Sequence, residues 1–264
     1  MLFALLVAFT VLAPSQHPET LSLLEEPLYA PPVSKSERAR LESEVADART
    51  EVTGDPSNPN AALRLARAQR DLGRIGDALE TLTRAIEGRA DSPQLRRERG
   101  RGFIVIRKFE LAQREFRKSV DTIPEARCDI AFALYLLADY KQSHEEYQKC
   151  ADAGVFGYLA ARRSGATTGP RPAPPADRQP PSGDIKLPGS LATKAPKEAA
   201  STAATYMDAV DKLLINEKAT AKDLLKSIVE KRKTQWMEPV YVAAEADYAR
   251  IVKAEPKKKK KRKD

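Results

Sequence analysis

The chain has 264 residues, enough to bury a sizeable core in one or two domains even after removal of an export segment. Alanine, leucine, arginine, lysine and glutamate dominate while aromatics make up 6 %, a balance that disfavours sheet architectures and points to an all-α fold. The net charge of +8 does not describe the body: Lys257–Asp264 supplies +6 and everything before it +2, which excludes a uniformly basic, polyanion-coating body and confines such a role to the tail or to local faces.

Residues 1–15 (MLFALLVAFTVLAPS) begin with an apolar run broken by Thr10 and closed by small residues at Ala13-Pro14-Ser15. The run is too short to span a bilayer comfortably and matches the centre of a secretory signal peptide. The expectation is an exported protein, periplasmic or extracellular, whose mature chain starts near Gln16; membrane anchoring by an uncleaved amino-terminal segment is the alternative. Proline-punctuated residues 16–33 read as an extended lead-in segment. A leading helix follows over 34–53, capped by Ser34 or Ser36, with Ala39, Leu41, Val45 and Ala48 giving partial periodicity, and ending before Gly54-Asp55-Pro56.

Residues 59–154 are self-similar. Three blocks place Ala78, Ala112 and Ser143 at one site, Leu82, Phe116 and Tyr147 four residues later, and Ala85, Ser119 and Cys150 three further on. A short turn precedes each: Leu72-Gly73-Arg74-Ile75, Ile106-Arg107-Lys108-Phe109 and Leu137-Ala138-Asp139-Tyr140. A small side chain at Ala78 or Ala112 lets two antiparallel helices approach, and the large residue one turn on fills the gap between them. Gly100 and Phe103 supply a small and an aromatic residue in the first helix of the second block, which closes on Pro124.

These residues resemble the tetratricopeptide repeat family. The second block matches best; the first departs at Ala66, Gln69 and Ala90, and the third runs about three residues early. The resemblance implies an all-α, tetratricopeptide-like helical-repeat solenoid in which the first helix of each pair lines a concave groove. Its non-core positions here include Arg64, Arg67, Arg70, Arg97 and Arg101, which would make an arginine-lined groove suited to carboxylate or phosphate. A solvated face partly neutralised by Asp71 and Glu98 is the alternative. The lysine and asparagine of the family's clamps for terminal carboxylates are absent at these places, so that specificity is not carried over.

The third block adds a helix apolar around its circumference, Ile130 to Ala138, whose groove side at Phe132, Tyr135 and Leu136 needs a cover: the carboxyl-terminal helices, the lead-in or a partner. Cys128 and Cys150 fit one disulfide or two inert thiols; Cys150 occupies the core-facing small site, with Cys128 nearer the groove. Residues 163–196 form a Pro-rich linker. Residues 197–254 read as three amphipathic carboxyl-terminal helices, a small bundle or a cover on the repeats.

The basic tail, 256–264, carries Lys257, Lys258, Lys259, Lys260, Lys261, Arg262 and Lys263 and must be solvated or bound to an anion. Chemistry is sparse. The histidines are His17 and His144, with no second ligand at metal spacing, and Gly100-Arg101-Gly102 lies inside a predicted helix rather than a phosphate-cradling loop. No catalytic residue, metal, cofactor or small-molecule substrate is expected. The reading is a non-enzymatic scaffold binding a protein or peptide partner through its concave groove; the rival is a binder of polyanions, nucleic acid or an anionic envelope surface, driven by the tail.

Overall fold

Local chemistry sets the helix boundaries. In the computed structural model, which describes residues 17–88, 90–172, 196–231 and 233–255, the leading helix α1 spans Lys35–Gly54 and is capped by the Ser34 hydroxyl, which accepts the Glu37 N–H. Helix α2, Pro59–Asp71, and helix α4, Pro93–Val105, each begin with proline behind a capping Asn58 or Ser92. Their partners are α3, Ile75–Glu87, and α5, Phe109–Arg117. The pair α6, Ala126–Leu136, and α7, Tyr140–Tyr147, follows, and then α8, Gly154–Ser164.

Helices α2, α4 and α6 stop in the same way. Gly73, Arg107 and Ala138 take φ values of 78°, 63° and 65°. The next N–H then reaches back five residues: Arg74 to the Gln69 carbonyl, Lys108 to Phe103 and Asp139 to Leu134. This left-handed stop satisfies carbonyls that the last helical turn leaves open. From residue 73 to 107 is 34 residues and from 107 to 138 is 31, so the shortened third block is real and its turn geometry is kept.

Each helix packs on its sequence neighbours, and α2, α4, α6 and α8 also touch in that order, forming an inner layer behind which α3, α5 and α7 lie. The result is an all-α helical-repeat fold. Close approach depends on small residues: a Cβ built on Gly100 of α4 would sit 2.5 Å from the Phe116 ring of α5, so glycine there is what lets the buried ring seat. In the first pair Gln69 replaces an aromatic and stays buried because the Thr81 hydroxyl donates to its Oε1 at 2.8 Å.

The carboxyl-terminal helices are α9, Pro196–Leu214, α10, Lys218–Lys231, and α11, Pro239–Ala254, with a short 3₁₀ turn, Lys233–Gln235, before α11. They are not a separate bundle. Tyr206, Trp236 and Tyr241 share one buried cluster with Phe116, Phe132 and Tyr135 of the repeats. The lead-in also folds: Thr20–Leu21 (β1) pairs antiparallel with Pro27–Leu28 (β2), Leu28 joins the same cluster, and the Glu19 carboxylate accepts the Ile75 N–H at 2.9 Å. The expected linker start at 163 is two residues early, because α8 continues to Ser164 before Gly165 stops it at φ 80°. The signal-like run, linker residues 173–195 and the basic tail lie outside the described residues.

Candidate functional site

The inner face is built on two buried carboxylates. Glu98 of α4 faces Arg70 and Arg67 of α2 and Arg101 of its own helix, while Asp129 of α6 faces Arg97 and Arg101 of α4. Each acid therefore receives arginines from the preceding inner helix. Burial would raise the Glu98 carboxyl, but the surrounding Arg70, Arg101 and Arg67 hold it below its ordinary value. The pairing ties α2 to α4 and α4 to α6.

This changes the roles expected for the five arginines. Arg70, Arg97 and Arg101 are largely buried and committed to Glu98, Asp71 and Asp129. Arg64, paired with Glu51, and Arg67 keep more than half of their side chains exposed, 56 % and 51 %. A ladder of intramolecular pairs thus stands where an arginine-lined groove was one expectation and a face partly neutralised by Asp71 and Glu98 the other, with its most exposed arginines on α2.

Phe132 and Tyr135, candidate partner-binding residues on a side expected to be covered by the carboxyl-terminal helices, the lead-in or a partner, are sealed inside the molecule. Phe156 of α8 packs edge-on to both, at ring-centroid distances of 4.6 and 5.4 Å, and the Tyr206 hydroxyl of α9 lies 2.9 Å from that of Tyr135. Behind them the Asp247 carboxylate of α11 accepts both Arg163 amines at 3.0 and 2.6 Å, the Tyr206 hydroxyl at 2.8 Å and Arg250 at 2.8 Å. A second buried ion pair joins Arg107, at the α4–α5 stop, to Glu245 at 2.7 Å; Glu245 also accepts the Leu23 N–H of the lead-in. Sequence reasoning missed both pairs. The available signal was two acids, Glu245 and Asp247, inside the otherwise apolar stretch Val240–Ala246 and its continuation.

Cys128 and Cys150 are joined as a disulfide with Cα atoms 5.4 Å apart. Cys128 is buried, and its bond to Cys150, three residues past the end of α7, turns it toward that helix rather than to the groove side expected for it. His17 is exposed, and His144 contacts Gln148 one turn on. Among the described residues no group of three or more His, Cys, Asp or Glu side chains is placed to hold a metal ion. No helix among them is long and apolar enough to cross a membrane. No family model and no curated protein matches the chain, so its architecture is established by its own helices and their packing.

Proposed function

We propose that the chain is a non-enzymatic scaffold of the tetratricopeptide kind, exported from the cytoplasm, that holds an acidic protein or peptide segment on the α2–α4 half of its inner face. One observation carries this reading: the inner face is divided. At α6 it is closed by the chain's own α8, α9 and α11. At α2 the side chains of Arg64 and Arg67 remain more than half exposed, beside the buried Glu98 carboxylate that also holds Arg70 and Arg101. Planar donors held this way suit carboxylates. Export is supported by the Cys128–Cys150 bond, since disulfides persist in oxidising compartments.

The test is a selection from a displayed random-peptide library, followed by titration of the selected peptides against wild type and the Arg64→Glu/Arg67→Glu double variant. Acidic peptides should be enriched, and the reversal should weaken them at least about tenfold. Selected peptides without acidic bias, or affinities that the reversal leaves unchanged, overturn the proposal.

A further inference from the structure

All five inner-face arginines meet an acid, but the acids differ in how readily they can leave. Glu98 and Asp129 are 5 % and 0 % exposed, and each faces at least two guanidiniums. Withdrawing either would leave largely buried cations without a counter-charge, which is costly. Asp71 sits beside Arg70, which Glu98 holds in any case. Glu51 stands apart. It comes from the last turn of α1, outside the repeats, is 46 % exposed, and pairs with Arg64, itself 56 % exposed. An exposed pair contributes little to stability, so the Glu51 carboxylate can be exchanged for another at small cost to the fold.

The geometry suits such an exchange. Both Glu51 oxygens accept from one nitrogen, Arg64 Nη1, at 2.5 and 2.6 Å. The Nε and Nη2 of Arg64 make no hydrogen bond among the described residues. Arg67, three residues on and therefore on the same face of α2, reaches Glu98 through Nε at 3.5 Å, beyond a good hydrogen bond. The backbone at Glu51 is fixed: its carbonyl accepts the Asp55 N–H at 2.9 Å, and the next residue, Val52, packs on the clusters that contain Leu63 and Leu65. Releasing Arg64 thus needs rotation of one side chain and no movement of α1.

We infer that Glu51 is a built-in competitor for the groove: it holds Arg64 while the groove is empty and yields it to a carboxylate of the bound segment. This rests on the acidic-segment reading above and adds the residue that tempers its affinity. An incoming carboxylate that left Glu51 in place would face a like charge across one guanidinium, so binding and exchange go together. A segment with no acid at that point has nothing to exchange and is indifferent to Glu51.

Titration of peptides selected on the protein decides it. Glu51→Gln should tighten acidic peptides about three- to fivefold, the range that losing an exposed pair commonly spans. Glu51→Ala should do the same, so a fold defect in one variant does not decide the matter. Glu80→Gln removes one charge from another exposed pair, with Arg84 on the outer helix α3, and should change affinity by less than about 1.5-fold. In an Arg64→Gln background Glu51→Gln should have no effect, which a general change of charge would not produce. Unchanged or weaker binding by both Glu51 variants overturns the inference, as does equal tightening by Glu80→Gln or tightening that survives Arg64→Gln. Each of these leaves the groove reading standing as long as Arg64→Glu/Arg67→Glu still weakens the peptides. If that reversal has no effect, the groove reading fails and takes the inference with it.

Discussion

Replacing Asp247 by asparagine tests whether a buried charge cluster holds the carboxyl-terminal helices on the repeats. Asp247 is 4 % exposed and accepts four side-chain hydrogen bonds from Arg163, Tyr206 and Arg250. Arg163 is itself buried over the rings of Tyr135 and Tyr140, 5.2 and 4.7 Å from their centroids. Burial would raise the Asp247 carboxyl, yet Arg163, then Arg250 and Tyr206, hold it below its ordinary value. Asparagine keeps the shape and removes the charge, leaving Arg163 a buried cation with no counter-charge in that position. Breaking a buried pair from one side costs about 3 to 5 kcal/mol. Because the folded-state pKa is depressed, the carboxylate's contribution is present above the ordinary aspartate value and is lost as pH falls through the lower folded-state value. Wild type should therefore lose stability on acidification more steeply than the variant. Trp236, the single tryptophan, is buried in this unit with its Nε1–H donated to the Tyr29 carbonyl at 2.7 Å, so its fluorescence during urea unfolding reads the effect. A loss under about 1 kcal/mol, or the same acid dependence in both proteins, would refute the reasoning.

Gly100→Ala should destabilise the repeats, because the new methyl meets the immobile Phe116 ring, and Phe116→Ala should cost about 3 to 5 kcal/mol in thermal melts; losses under about 1 kcal/mol for Phe116→Ala would mean that the register is wrong. Protein purified without reductant should show no free thiols when denatured, and reduction should cost about 3 kcal/mol for a bridge spanning 22 residues; two titratable thiols per chain would contradict the bridge. Burial pushes the Glu238 carboxyl up to about 7, so this group's contribution is least unfavourable below the ordinary glutamate value and becomes destabilising as pH rises from there through about 7. Glu238→Gln should flatten the decline and exceed wild type by about 1 to 2 kcal/mol near pH 8, as melts across pH will show, and an unchanged slope would remove Glu238 from the account.

The repeat core was legible because it depends on spacing. Ala78, Ala112, Leu82 and Phe116 are all buried where the pattern puts them, and Leu41, Val45 and Ala48 form the inward face of α1, although Ala39 is exposed. The fate of the apolar helix α6 was legible as a need for cover, and of the candidates named for that cover it is the carboxyl-terminal helices that seal Phe132 and Tyr135. The arginines were harder. Arg64 and Arg101 look alike as side chains on non-core positions; what separates them is an acid one inner helix further on, Asp129 beside Arg101, and that depends on how successive repeats are offset. Helix α8 escaped notice because Gly154 and Gly157 interrupt a short apolar stretch that lies after the last recognisable block.

The stops of the inner helices and the attachment of the rest of the chain are linked. At the inner-helix stop, glycine is the residue that takes a left-handed φ without steric cost, and the first pair uses Gly73. The second uses Arg107, for which that conformation costs about 1 to 2 kcal/mol. Its side chain offsets the strain: it bonds the Glu245 carboxylate and the Trp236 carbonyl and lies 5.6 Å from the Trp236 ring. The residue that bears the left-handed conformation at the second stop is thus the one that fastens α11. Gly73 is covered too, but by the lead-in, since a Cβ there would meet Ala30 at 2.7 Å. At the third stop Arg250 of α11 donates to the Leu136 carbonyl. All three stops therefore lie under segments outside the repeats, and those segments bind the turn edge of the array. Under the proposed function, a partner on the inner face would meet that edge already occupied, with the exposed side chains of Arg64 and Arg67 at α2 left for it to contact.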